Sequence, residues 1–371
     1  MKRRTFLTGA LLAATAPVPT VSAAPAPAKN GTGTQADEKG ILVLNPPETV
    51  LPILQNMRLP AIRVNKKGHP IPQEPPLTLL HFADIHNDAV NLRRVMAFYN
   101  HYRRYFDDAL VTGDIAGGTW REYSPEMDAA EGFSKVLKTL GNHDNFRWNP
   151  STLWAPAKAC YERYFKGIES WGVVQPGGSN PDGLCYWYKD YPKSRVRLVG
   201  LDCMHYDAAQ NSWFAAVLAD ARGKGLAVVA AQHYPPMGKK DVTGFPGCAF
   251  DSLQRESLGA GLPKAVKEVD LFQKAGGEFV CWLGGHTHTD FCGTVNGTGQ
   301  MFICVGIAKN MELWCDSRRV TGEKSQDLFN AVSIDTCRRH VRVLRIGAEW
   351  NRFLQHRVTM CLDYENRVQL T

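Results

Sequence analysis

Leu77-Thr78-Leu79-Leu80-His81-Phe82-Ala83-Asp84-Ile85-His86 decides the fold: an apolar run of strand length stops at a carboxylate, with an imidazole two places on. The pattern recurs. Ala109-Leu110-Val111-Thr112 runs into Gly113-Asp114, and Val136-Leu137-Lys138-Thr139-Leu140 into Gly141-Asn142-His143-Asp144. Leu226 to Ala231 leads to His233, and Glu278 to Leu283 leads to Gly284-Gly285-His286-Thr287-His288. Short apolar runs bounded by turn residues read as buried strands. Open α/β sheets present their ligands at the carboxyl ends of such strands, which is where each of these polar blocks falls.

Between the runs, residues 89–106 have a helical spacing of Val90, Val95, Phe98, Tyr102 and Phe106, and residues 212–222 read as a helix capped by Ser212. Residues 196–201 alternate as a strand, and residues 332–335 with 341–346 form a late hairpin. The sum is a layered α/β body with mixed strands and no internal repeat.

The side chains at the strand ends are of the kinds that hold metal ions. Asp84 and His86, two apart in an extended segment, point to one side of the chain. Asp114, in a tight turn after Gly113, has two oxygens and can bridge. Asn142 offers a neutral amide oxygen, and His286 and His288 repeat the alternate spacing. A paired-ion hydrolytic centre needs a shared carboxylate among imidazole and oxygen donors, because hydroxide must form at neutral pH while the substrate oxygens are held from two sides. Taken singly, a histidine after a strand is more often structural, and a Gly-Asn pair is more often only a turn. Five such blocks in order, each at a strand end, are a different matter.

The order Asp84-x-His86, Gly113-Asp114, Gly141-Asn142-His143-Asp144, His233, Gly285-His286-Thr287-His288 resembles the calcineurin-like metallophosphoesterase superfamily. The resemblance implies a four-layer α/β/β/α sandwich of two mixed sheets flanked by helices. It implies Asp84, His86 and His288 on one ion, Asn142, His233 and His286 on the other, and Asp114 bridging them. It also implies in-line attack of metal-activated hydroxide on a phosphate mono- or diester, with His143 assisting the leaving group rather than binding metal. Three residues after Asp114 stands Gly117, where purple acid phosphatases carry a tyrosine and protein phosphatases an Asp that orients the catalytic imidazole. A tyrosinate-bound ferric site is therefore disfavoured, and Asp144 or a loop group is expected to orient His143. The donor set suits manganese, iron, zinc or cobalt. A nuclease and a non-enzymatic binding module on the same fold are the competing readings.

The remaining sequence bounds the setting. Residues 1–23 read as an export leader: Lys2-Arg3-Arg4, an apolar stretch too short to span a bilayer, and a small-residue cleavage site ending at Ala23. Arg3-Arg4-Thr5-Phe6-Leu7 resembles a bacterial twin-arginine signal, which implies export in the folded state and a periplasmic location. Residues 24–40 read as a flexible tether, 41–76 as an irregular, proline-rich segment packed on the body, and 77–371 as the main domain. Insertions at about 151–191, rich in aromatic residues, and 235–263 are expected as lids or specificity walls, or as a satellite core under the loop.

The net charge of +7 falls by three without the leader and no long basic run occurs, so a nucleic acid is not called for and small anionic substrates remain compatible; the resemblance implies a small anionic phosphoester as the partner. Ten cysteines suit disulfides in an oxidising space, yet none has C-x-x-C spacing, and Cys203 and Cys281 lie in apolar runs as buried thiols would. There is no G-x-S-x-G, and Gly259 to Lys264 reads as a turn before a helix rather than a phosphate loop. His81, His101, His205, His340 and His356 lack the strand-end context. Among these, His205 is placed to reach a substrate.

Overall fold

The computed structural model describes residues 40–42, 44–146, 154–177, 180, 182–236, 262–295, 297–310, 319–348 and 359–369. The leader with its paired arginines, the tether up to residue 39 and residues 237–261 of the second insertion lie outside them.

In chain order the main elements are α1 (Pro47–Met57), β1 (Ile62–Val64), β2 (Pro70–Pro72), β3 (Leu77–Phe82), α2 (Ala89–His101), β4 (Asp108–Thr112) and β5 (Leu137–Thr139). Then follow α3 (Ala157–Cys160), β6 (Trp187–Tyr191), β7 (Val196–Gly200), α4 (Ala208–Gly223), β8 (Ala227–Ala231) and α5 (Leu262–Lys274). The last are β9 (Phe279–Gly284), β10 (Phe291–Thr294), β11 (Met301–Cys304), β12 (Leu328–Asp335), β13 (His340–Gly347), β14 (Thr359–Asp363) and β15 (Val368–Gln369). Two mixed sheets result, one in the order β15-β14-β13-β12-β3-β4-β5 and one in the order β10-β11-β9-β8-β7-β6.

Alternation along β8 shows how the layers divide. Ala227, Val229 and Ala231 join the large core that β3, β4 and β12 also feed, whereas Val228 and Ala230 face the helices with Phe214 of α4 and Val269 of α5. A strand buried on both faces needs no polar side, which is why these runs read as continuously apolar. Helix α2 closes the other face of the first sheet with Leu92, Val95, Met96 and Phe98, and its Asp88 side chain accepts the Asn91 N–H as N-cap. The architecture is two mixed sheets flanked by helices, as the resemblance implied.

Four expectations are corrected. The segment 41–76 contains the helix α1, not only irregular chain. Its prolines misled: Pro46 and Pro47 stand at the N-cap and first turn, where a missing N–H costs nothing, and only Pro52 lies inside. Val50, Leu54 and Met57 enter the large core, and the Met57 carbonyl is held by Ser333 Oγ at 2.7 Å and Arg342 at 2.8 Å. The helix α4 starts at Ala208, capped by Asp207 accepting from Gln210, while the Ser212 hydroxyl donates back to the Ala208 carbonyl. In the first insertion Tyr164, Phe165, Trp171 and Trp187 belong to the large core, so these four are neither lid nor satellite. Finally, Cys160, Cys185, Cys292, Cys304, Cys337 and Cys361 are free thiols rather than the disulfides that their number suited, while Cys203 and Cys281 are buried thiols as their apolar runs suggested. No helix among the described residues is long and apolar enough to cross a membrane.

Candidate metal centre

The chain leaves β3, β4 and β9 through residues in the left-handed region: Asp84 (φ 56°), His86 (φ 45°), Asp114 (φ 52°), His286 (φ 67°) and His288 (φ 59°). The Asp84-to-His86 segment is therefore not the extended one that its alternate spacing suggested. Tight turns bring the donors together. Each such residue costs about 1–2 kcal/mol, so the turns must be held from outside. Asp84 N–H donates to Gly113 O at 3.0 Å, His86 N–H to Asp114 O at 3.0 Å and Gly285 N–H to His233 O at 3.0 Å. Gly113 fits because its φ is 86° and because a Cβ there would lie 2.6 Å from Gly141 N and 2.7 Å from His233 Nδ1.

Two groups of donor atoms converge. Asp84, His86, Asp114 and His288 form one, and Asp114, His233 and His286 the other, each with its atoms within 4.8 Å of one another. Asn142 joins the second group, its Oδ1 3.1 Å from His233 Nε2. Such groups could hold metal ions, and Asp114 is common to both.

Partners on the far side of each ring fix the tautomers. His86 Nδ1 meets Gly117 O at 3.0 Å and His233 Nδ1 meets Thr112 O at 2.8 Å. A carbonyl only accepts, so Nδ1 carries the proton in both and Nε2 faces the cluster. Burial pushes His86 and His286 down. His233 is buried too, but Asp114, 3.2 Å away, holds it up to about 9. His288 is likewise raised against burial by Asp84 at 3.3 Å. Burial works to raise the two carboxyls, yet the surrounding imidazoles keep Asp84 below its usual range and Asp114 well below it. Asp84 Oδ1 and Asp114 Oδ2 are buried and accept no well-formed hydrogen bond, facing the imidazole nitrogens of His288 at 3.3 Å and His233 at 3.2 Å, respectively. Buried acceptors left so are costly unless a cation satisfies them.

Asp144 does not orient His143. Its Oδ1 accepts Ile115 N–H and Ala116 N–H at 2.9 Å each and its Oδ2 accepts Gly141 N–H at 2.8 Å, so the carboxylate ties the turn after β4 to the turn after β5. His143 is held through its backbone, and its Nδ1 has no hydrogen-bond partner. His205 is also spoken for: Nδ1 bonds Asp202 Oδ2 at 2.7 Å and Nε2 bonds Ala155 O at 2.8 Å, which leaves no ring nitrogen for a substrate. His81 is buried against Thr112 Oγ1 at 2.9 Å.

A cleft of about 710 Å³ opens over the cluster, lined by His86, His143, His288, Lys309, Glu122 and Glu126 among others. Lys309 carries no sequence signal: it follows Val305-Gly306-Ile307-Ala308, a run without a recognisable motif. The carbonyls of Thr112 and Gly117, which set the tautomers, were equally invisible, since any residue supplies a carbonyl.

Among solved structures the fold is similar to a dimetal phosphatase from Danio rerio, with a TM-score of 0.51 and 13% identity over 78% of this chain and 99% of that one. A purple acid phosphatase from yellow lupin (Lupinus luteus) seeds gives a TM-score of 0.46 and 13% identity over 81% of this chain and 56% of that one. No curated protein matches. The model of the calcineurin-like phosphoesterase family matches residues 77–290, the span that carries all the donor blocks. With that match over more than half of its length, the chain belongs to the calcineurin-like phosphoesterase family.

Proposed function

We propose that the protein is a phosphoester hydrolase that works with two transition-metal ions. Asp84, His86 and His288 would hold one ion, Asn142, His233 and His286 the other, and Asp114 both. The observation that carries this reading is the pair of converging donor groups that share Asp114. The buried Asp84 Oδ1 and Asp114 Oδ2, which face imidazoles, and the inward-facing Nε2 atoms of His86 and His233 fit such ions. Two bound ions would supply Lewis acidity and lower the pKa of a water. His233 must then give up its Nε2 proton, so metal uptake releases protons.

His143 is the residue of this set that faces the cleft without belonging to either donor group. Its imidazole is about one-third exposed at 29% and lies 3.8 Å from Asp114 Oδ2, where it can donate to the departing oxygen. Nitrogen and oxygen donors suit manganese, iron, zinc or cobalt. Export by the twin-arginine route to the periplasm, with cleavage near Ala23, is part of the proposal, because that route carries a folded protein that already holds its metals. Replacing Arg3-Arg4 by Lys-Lys should abolish it.

Turnover of p-nitrophenyl phosphate and bis-p-nitrophenyl phosphate, with elemental analysis of the purified protein, tests the main reading. Two equivalents of metal and hydrolysis of at least one ester are expected. Metal-free protein that stays inactive after manganese, iron or zinc is added rules it out.

A further inference from the structure

Lys309 stands beside the candidate donors on a backbone held from several sides. Ala308 N–H donates to Ala83 O at 3.0 Å, Lys309 N–H to Asp84 O at 3.2 Å and Asn310 N–H to Asp88 Oδ2 at 3.1 Å. Asn91 Nδ2 holds the Ala308 carbonyl at 3.0 Å. Residues 308–310 thus run along the turn that carries Asp84 and His86, tied to it by four hydrogen bonds. Lys309 lines the same cleft as His86, His143 and His288, beside Asp88, Glu122 and Glu126, and is the one lysine or arginine among the described residues that do so. No carboxylate among the described residues forms an ion pair with its ammonium.

A backbone clamp that carries an unpaired lysine to a cleft lined by His86 and His288 of the first donor group is a device for drawing negative charge toward that centre. A phosphate monoester has a second pKa near about 6 and so carries close to two charges at neutral pH. It has three terminal oxygens. A diester carries one charge on two terminal oxygens. Two ions and a third positive group match the first inventory and exceed the second, and a lysine serves as a mobile point charge for a phosphate oxygen.

We propose that Lys309 is a specificity residue that pairs with a terminal oxygen of a phosphomonoester dianion and selects monoesters over diesters. The inference rests on the phosphoester-hydrolase reading of the same site. The test uses manganese-loaded full chain and its Lys309→Met and Lys309→Arg variants. It measures kcat/KM for p-nitrophenyl phosphate and bis-p-nitrophenyl phosphate, the dissociation constant of inorganic phosphate by calorimetry, and metal content.

Loss of one charge-assisted hydrogen bond corresponds to a fall of about 30-fold. Lys309→Met is expected to lower kcat/KM for the monoester and the affinity for phosphate by that factor, with a loss on the diester at least about tenfold smaller, and Lys309→Arg should restore most of both. Equal losses on the two esters, unchanged phosphate affinity, or a loss that tracks lost metal would overturn the proposal. If the unsubstituted protein hydrolyses neither ester, the hydrolase reading fails. Phosphate affinity then still decides: a loss in Lys309→Met with rescue by Arg sustains the anion contact, and no loss removes it.

Discussion

The backbone N–H of His143 donates to Asp114 Oδ1 at 2.9 Å, while the other oxygen of the same carboxylate faces the His143 imidazole at 3.8 Å. The residue shared by both donor groups therefore also sets where the cleft-facing imidazole stands. Position of the cleft-facing imidazole and convergence of the donor groups are one problem in this fold. A single side chain solves it.

Asp114→Asn keeps the volume and the acceptor for His143 N–H but removes a charge and puts an amide where Oδ2 faces His233. Metal content is expected to fall from two equivalents to one or fewer, and turnover by about 10³-fold or more, since several kcal/mol of transition-state stabilisation go with the ion. Elemental analysis and steady-state kinetics check this. Full activity with full metal content would sink the two-ion reading.

Asp144→Ala leaves the N–H groups of Ile115, Ala116 and Gly141 without their acceptor. Each buried donor left unsatisfied costs about 1–3 kcal/mol, so a loss of about 3–5 kcal/mol in stability is expected. Metal affinity should fall about 10–100-fold, the usual consequence of losing a group that holds the donors in place. Urea denaturation and competition with a chelator measure the two. An unchanged unfolding midpoint would show that these bonds do not hold the turns.

The strands and the donors after them were legible because two signals coincide there: an apolar run of strand length, and a polar residue with nothing apolar to continue it. The local geometry was not. Asp84 and His86 have the spacing of an extended pair and sit instead at φ 56° and 45°, a conformation sustained by bonds to Gly113, Asp114, Gly117 and Lys309. Helix α1 was hidden by proline count, since a proline at a helix start and one inside it look alike in composition. Asp144 looked like a site residue because it follows His143. Its oxygens are instead taken by backbone donors from two turns, a partnership that no spacing records. Lys309 is the reverse case, placed at the cleft by contacts from residues more than two hundred positions earlier in the chain.

Gly113→Ala tests whether close approach, and not only backbone freedom, fixes a glycine at this turn. Gly113 has φ 86° and its added Cβ would meet Gly141 N at 2.6 Å, whereas Gly68 has φ 79° with nothing within 4 Å. Gly68→Ala should cost about 1–2 kcal/mol for the left-handed conformation alone. Gly113→Ala should cost a further 1–3 kcal/mol or about that for overpacking, and reduce metal content as well. Equal losses in the two variants would mean that the approach of the turns is not tight.

His205 predicts a pH dependence of stability that is separate from catalysis. Both ring nitrogens face acceptors, Asp202 Oδ2 at 2.7 Å and Ala155 O at 2.8 Å, so the ring must be protonated twice to satisfy both. Burial opposes the charge, but Asp202 prevails and holds His205 up to about 9, from 6.5. A folded-state value above the unfolded one contributes stability that is complete below pH 6.5 and is lost as pH rises through about 9. At 1.36 kcal/mol per unit, discounted for partial exposure of the ring, the contribution is about 2–3 kcal/mol. Lys138 acts in the opposite sense: burial pushes it down to about 7, so its part of the stability grows as pH rises above that value. The wild-type curve alone therefore mixes the two. His205→Gln leaves Lys138 in place, so the difference between the two proteins isolates the histidine. Urea denaturation should show that difference at its largest at pH 6 and shrinking toward pH 9.5. A difference that stays constant across this range would mean that the ring is neutral in the folded protein and that Asp202 does not hold its proton.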